Sequence, residues 1–300
     1  MDDFKKITPA DYGKLKAYLG RTAVRACDYS PGNLVLWADV YETSFAIAQD
    51  TLFIRFKLNG ETYFTFPIGT ASLESAFGWL RDYCKRNALA FKMNLVEPAM
   101  FEQIESAFPG QYEVVYNRDS ADYIYNAADL ANFTGKRYHS KKNHVNEFMR
   151  AYPDWYYESI TDKNTEACIE MIKEWCAANQ CCSDKSKALE TCVVIKALKT
   201  RAALGLTGGV LRADGRIVAL ALGERMGDTL IEHFEKAFSD VPGAYPMICQ
   251  QFARNEAGGA AFVNREDDMG VEGLRRSKES YRPAFLVDKG LLVPKAGGAS

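Results

Sequence analysis

The run Leu230-Ile-Glu-His-Phe-Glu-Lys-Ala-Phe238 places four ionisable side chains, Glu232, His233, Glu235 and Lys236, within five positions of a β-rich segment. A strand covered on both faces is mostly apolar. Such a density of charge therefore points to a site at or beside a sheet, or else to a wet edge strand or a structural ion-pair network. By strict alternation Glu232, Phe234 and Lys236 share one face, with Ile231, His233 and Glu235 on the other. These residue types suit acyl transfer. The nucleophile must lose a proton, the oxyanion must be stabilised and the leaving group must regain a proton. Glu235 or Glu232, with His233, are the candidate general bases. Lys236 is the candidate contact to an anionic donor or acceptor.

Two neighbouring segments add to this constellation. The loop Asp240-Val-Pro-Gly-Ala-Tyr-Pro246 leads into a helix. Free N–H groups around Gly243, Ala244 and Tyr245 would bind phosphate or an oxyanion there, or the loop simply caps the helix. Asn264-Arg265-Glu266-Asp267-Asp268-Met269-Gly270 sits where a strand ends and a helix begins. Asn264, Arg265, Glu266 and Asp267 are candidate substrate contacts at a strand's carboxyl end. Arg275 and Lys278 add a basic side to the next helix. The acids alternatively serve that helix's N-terminus. Adjacent acids point in different directions, so no metal site is expected.

Between the halves, Lys136, Arg137, Lys141, Lys142 and Arg150 face one nearby acid, Glu147. Wrapped at 3.6 residues per turn, Tyr138, Val145, Phe148, Met149 and Tyr152 share one face, while Arg137, Lys141 and His144 lie on another. The helix should end before Tyr152-Pro153. Three readings stay open for this basic stretch. It is a solvated face docking one half on the other, a phosphate-binding surface for tRNA or a phospholipid head group, or a site of peripheral membrane contact. His139 and His144 are five apart, so they do not form a metal pair on one helix face.

The elements that must position these residues repeat an order. Each half reads helices, antiparallel meander, helix, strand, helix, strand. In the first, Asn59-Gly60 between two β-rich runs signals a hairpin, and Asn33–Trp37 reads as a strand. In the second, a meander covers 207–238 and a last strand covers Phe285–Val293. An α/β chain with mixed sheets is the economical architecture. The chain has 300 residues and a net charge of −2. Near-neutrality argues against a protein that coats nucleic acid over its whole surface. The eight cysteines are too sparse for a disulfide framework. The polar amino terminus lacks a signal-like core, and no long apolar stretch predicts a transmembrane segment. A cytoplasmic location is the expectation.

Gly135-Lys-Arg-Tyr-His-Ser-Lys-Lys-Asn-His144, followed by Tyr152-Pro-Asp-Trp155, resembles the linker of the DUF2156 family. Glu232–Ala237, Gly243–Pro246, Asn264–Gly270 and Glu272–Tyr281 agree with it. That family is similar to the C-terminal domain of phosphatidylglycerol lysyltransferase. The resemblance implies two tandem GNAT-like acyltransferase domains, akin to the Fem-type aminoacyl transferases. It implies transfer of an acyl or aminoacyl group to an amine or hydroxyl by direct attack. Tyr281 falls at the position of the general acid in many GNAT enzymes, or is a buried structural tyrosine. Of the acetyl-CoA loop pattern Arg/Gln-x-x-Gly-x-Gly/Ala, only Gly243 and Ala244 match, which favours aminoacyl-tRNA over acyl-CoA as donor substrate. No tightly bound cofactor is expected, and the acceptor is a small molecule or lipid-like. The expected domains are 1–128, a basic linker helix at 129–155, and 156–295 with the active site, followed by a disordered tail at 296–300. The rival is a non-catalytic protein that uses the same fold to bind a ligand or partner.

Overall fold

Asn59 and Gly60 have φ of 52° and 80°, the positive values that a two-residue hairpin turn of this kind demands. They join strands Thr51–Leu58 and Glu61–Phe64, with Leu58 opposite Glu61. This hairpin belongs to the first of two compact units in a computed structural model that describes residues 3–295. The first unit takes the chain up to Asp122, then 267–271, and again from Val287. The second takes Tyr123–Glu266 and Glu272–Leu286.

The first unit's sheet runs in the order Lys5–Lys6, Ser44–Ala48, Thr51–Leu58, Glu61–Phe64, Met93–Val96, Gly290–Pro294, Tyr112–Tyr116, with Ile68–Gly69 on the side of Thr51–Leu58. Phe64 and Met93 pair in parallel, and the other ladders are antiparallel. Helix Leu73–Arg86 starts at Ser72, whose hydroxyl accepts the Ser75 N–H. It buries Phe77, Leu80 and Tyr83. Phe4, Phe53, Phe64 and Trp79 complete an aromatic core with Tyr83.

The second unit's sheet has the order Phe285–Val287, Asp122–Asn126, Phe262–Asn264, Thr229–Ala237, Arg216–Met226, Thr207–Ala213, Tyr156–Ser159. Thr229–Ala237 is central, antiparallel to Arg216–Met226 and parallel to Phe262–Asn264. Helix Ala244–Glu256 buries Met247, Ile248, Cys249 and Phe252 against this sheet. The basic stretch forms a short 3-10 turn, Lys136–Tyr138, and the helix His139–Ala151. Tyr138, Val145 and Phe148 are buried as expected, while Met149 is exposed.

Three expectations are redrawn. Asn33–Leu36 is helical rather than extended, the last part of helix Pro31–Leu36, and Trp37 caps its end. Ser30 caps it through the Asn33 N–H and Pro31 opens it, so local capping outweighs the β-rich composition. The strand expected at Phe285–Val293 is two strands. Phe285–Val287 joins the second unit's sheet, and Gly290–Pro294 lies antiparallel between Met93–Val96 and Tyr112–Tyr116. The units therefore run differently from contiguous spans 1–128 and 156–295. The basic helix is part of the second unit and the final strand part of the first, because membership follows ladder pairing and not chain order. The tail expected at 296–300 lies outside the described residues.

The alternation expected along Thr229–Ala237 also breaks. Phe234 pairs with Leu222, but Glu232 pairs with Gly223, so His233 is an extra residue in a β-bulge. A Cβ on Gly223 would sit 2.0 Å from the Ile231 carbonyl oxygen. Gly223→Ala should therefore cost about 1–3 kcal/mol through overpacking. Gly78→Ala, in a helix and with nothing within 4 Å of the added carbon, should gain roughly 0.5–1 kcal/mol. Denaturant melts of the two variants should show these opposite shifts.

Candidate active site

The bulge turns Glu232 and Glu235, three apart and expected on opposite faces, toward one partner. The Arg265 Nε donates to Glu232 at 2.9 Å and its terminal nitrogen to Glu235 at 2.8 Å. Arg265 follows the strand Phe262–Asn264, which pairs in parallel with Thr229–Ala237. The parallel register thus brings a strand-end arginine beside the bulged strand. All three side chains are nearly inaccessible to water, at 10%, 3% and 11% exposure.

Each carboxyl still has one buried oxygen, Oε2, with no protein donor. Burial pushes the Glu235 carboxyl up to about 8, against the pull of Arg265, and the adjacent Glu232 pushes it further. Near neutral pH the pair holds one proton, and that proton supplies the donor missing between the two carboxyls. Two like charges this close cannot both ionise cheaply.

Cations and aromatic rings surround the pair. The Arg265 guanidinium lies 4.7 Å from the Tyr281 ring centre, and the Lys141 ammonium lies 3.7 Å from it. Tyr281 is buried, and burial holds its hydroxyl well above the usual phenol range. Burial brings Lys141 down to about 8, and the Arg265 charge acts in the same direction. The Lys278 ammonium donates to the Arg265 carbonyl oxygen. The Tyr125 hydroxyl donates to the Lys278 carbonyl at 2.8 Å, fixing the helix Glu272–Ser280 behind the arginine. Cys249 faces the carboxyls from helix Ala244–Glu256. Its sulfur and oxygens of Glu232 and Glu235 lie within 4.8 Å of one another. Such a set would suit a metal by residue type. Arg265 already supplies a positive charge to both carboxyls, and burial keeps Cys249 a thiol, so these residues fit a proton pair better than a dication.

The remaining expected residues fall in different places. His233 points into a separate buried cluster, with Nδ1 2.8 Å from Glu266 and Nε2 3.1 Å from Glu224. Burial lowers its pKa, but the two carboxylates outweigh this and raise it to about 9. It is therefore a buried imidazolium donating from both ring nitrogens. Lys236 turns away to Glu190 at 2.7 Å and lies over the Trp175 ring at 4.5 Å. Gly243 has φ of 76°, and a Cβ there would meet the His144 carbonyl oxygen at 2.2 Å. It lets the basic helix dock against the start of Ala244–Glu256. The Ala244 N–H is bonded to the Val241 carbonyl and Pro246 has no N–H, so this helix start offers few donors to an anion. Tyr245 is partly exposed beside it. Asn264 is buried and accepts the Glu266 N–H at 2.7 Å. Asp267 belongs to the first unit, 3.9 Å from Lys289. Lys136, Arg137 and Lys142 are exposed, with Arg137 paired to Asp129 at 2.6 Å, and Arg275 is half-buried. Sequence reasoning missed Cys249, Tyr125 and Glu224. Only Cys249 left a signal, four residues beyond Tyr245 and so on the same helix face.

The bulged strand and its paired acids sit in a mixed, GNAT-like α/β fold. The chain belongs to a particular family within that class. Residues 20–289 match the model of the family "Phosphatidylglycerol lysyltransferase, C-terminal". A conserved protein of unknown function from Bacteroides thetaiotaomicron is 35% identical in sequence. It aligns over 98% of this chain and all of its own, with a TM-score of 0.93. The DUF2156 C-terminal domain from Agrobacterium fabrum, 11% identical, has a TM-score of 0.66 over 96% of this chain and 92% of its own. L-PGS from Bacillus licheniformis, 14% identical, has 0.64 over 93% and 90%. These two likenesses show the fold alone. An uncharacterized protein from Mycoplasmoides gallisepticum is 24% identical over 61% of this chain, and the match spans 59% of that protein's length. Among the described residues no helix is long and apolar enough to cross a membrane.

Glu235 and His233 both make stability fall as pH rises. Glu235 keeps its proton when folded up to about 8, whereas the unfolded carboxyl releases it near 4.3. Its contribution is therefore complete below about 4.3 and lost as pH climbs to 8. The His233 contribution is complete below the unfolded value of about 6.5 and lost as pH passes the folded value of about 9. Urea melts across pH 5–9 should show this decline. Glu235→Gln, which mimics the protonated acid, should flatten the part between about pH 5 and 6.5 and leave the His233 decline above it.

Proposed function

We propose that this protein transfers an aminoacyl group from aminoacyl-tRNA to an amine or hydroxyl of a small or lipid-like acceptor, with the Glu232–Glu235 pair as its proton relay. The single-proton carboxyl pair clamped by Arg265 carries this reading. The acceptor's N or O attacks the ester carbonyl carbon, forming the new bond as the C–O bond to the donor's ribose breaks. The acceptor's proton passes to the ionised carboxylate of the pair. The proton already held on the pair passes to the departing oxygen, so the pair ends the cycle with one proton again. Arg265 and Lys141 supply positive charge where the carbonyl oxygen becomes negative. Tyr281 holds these cations in register.

Two observations support aminoacyl-tRNA over acyl-CoA as the donor. The start of helix Ala244–Glu256 offers little to a pyrophosphate, since its first N–H is engaged and Pro246 lacks one. The exposed Lys136, Arg137 and Lys142 instead present cations suited to a nucleic-acid backbone. The family description names a lysyl donor and a phosphatidylglycerol acceptor, which supports a hydroxyl on a lipid-like acceptor.

Purified protein should move a radiolabelled aminoacyl group from tRNA onto acceptor, and Glu235→Gln should cut the rate by about 10²–10⁴, the usual worth of acid–base catalysis. Absence of donor binding and transfer with both aminoacyl-tRNA and acetyl-CoA would leave the ligand-binding rival standing. Neutralising Lys136, Arg137 and Lys142 together should weaken tRNA binding. The salt dependence should fall by about one log unit per log salt for each phosphate contact removed. Unchanged binding would remove tRNA from the assignment.

A further inference from the structure

In the second unit, the end of helix Thr165–Ala178 brings two cysteines together. Gln180 stands just past that end with φ of 51° and ψ of 40°, a left-handed conformation. Its N–H bonds the Ala177 carbonyl at 3.2 Å. A helix that ends in this way turns the residue after the left-handed one back onto the last turn, against the side chain five positions earlier. The returning residue is Cys181, and the one it meets is Cys176. Their side chains share a hydrogen bond. On a continued helix the two would lie on different faces, so the left-handed turn is what joins them. Both are free thiols, Cys176 half-buried and Cys181 buried. Burial raises the Cys181 thiol above its usual range, and the Cys176 hydrogen bond acts in the same direction. Trp175, next to Cys176, donates from Nε1 to the Ala237 carbonyl at 3.0 Å. The thiol pair therefore adjoins the anchor at the end of the strand Thr229–Ala237.

We propose that Cys176 and Cys181 form a redox-active dithiol, which a small-molecule disulfide of the glutathione class closes into a disulfide bond. The more accessible Cys176 attacks one sulfur of the oxidant as a thiolate. A mixed disulfide forms and the first thiolate of the oxidant leaves. The Cys181 sulfur then attacks the Cys176 sulfur, and the second thiolate leaves. The chain gives up two hydrogens and two electrons, and the oxidant becomes two thiols. The pair is chemically separate from Glu232 and Glu235, and the proposal does not rest on aminoacyl transfer.

The full chain is incubated with millimolar oxidised glutathione at neutral pH, alkylated, and digested at Lys173 and Lys185. Fragmentation of the segment 174–185 should locate a bridge between Cys176 and Cys181, and dithiothreitol should restore both thiols. Cys181→Ser should instead accumulate a glutathione adduct on Cys176, because the resolving thiol is gone. Cys176→Ser should leave Cys181 reduced, because burial shields it from the oxidant. A segment that stays fully reduced in the unaltered chain, a bridge that forms in either serine variant, or glutathione found on Cys181 would each overturn the assignment. None of these outcomes depends on transferase activity.

Discussion

The second unit depends on one guanidinium held between two buried carboxyls. Removing Arg265 would leave Glu232 and Glu235 facing each other in a site that water barely reaches. A buried pair broken on one side costs about 3–5 kcal/mol, comparable to much of a domain's net stability. The arginine therefore fixes where the strand Phe262–Asn264 ends, how it lies against Thr229–Ala237, and why helix Glu272–Ser280 follows it closely. Lys278 on the Arg265 carbonyl and Tyr125 on the Lys278 carbonyl continue that constraint.

The same constraint creates the protonation state on which the proposed transfer relies. Burial strengthens the repulsion between the carboxyls, and one guanidinium cannot fully offset it, so a single proton remains shared near neutral pH. A proton held at a pKa near the working pH is what acid–base catalysis requires. Lys141 is drawn down by the same burial and the same arginine, leaving a second group that changes charge in the same range. The structural cost and the proposed chemical use share one arrangement.

Other buried charges follow a different rule. His233 is matched by Glu224 and Glu266, and Lys289 by Asp28 and Asp122. His233 has these two acids and Lys289 a third, Asp267 at 3.9 Å, so both clusters hold their protons firmly. They specify local packing, with His233 marking the bulge and Lys289 anchoring the turn that feeds the last strand of the first unit. Lys236 belongs with these, tied to Glu190 and Trp175. Charge density along Thr229–Ala237 thus mixes one proton-sharing pair with two structural groups, which the chain's composition cannot separate.

Much of the architecture was legible in the sequence. Asn59-Gly60, the meander of three strands and the amphipathic basic helix are local signals, because turn conformations and periodicity are set by residues close in the chain. The acidic strand and Arg265 were also visible as candidates, since their residue types conflict with a buried setting. What the tertiary structure alone decided was which of them meet. Alternation separates Glu232 from Glu235, and only the bulge opposite Gly223 puts both on Arg265. Ladder pairing, not sequence order, sent Gly290–Pro294 into the first unit. The sequence by itself determined the residues capable of acid–base chemistry and the elements carrying them. Their grouping, and the shared proton that follows, came from strand register and burial, which depend on partners far away in the chain.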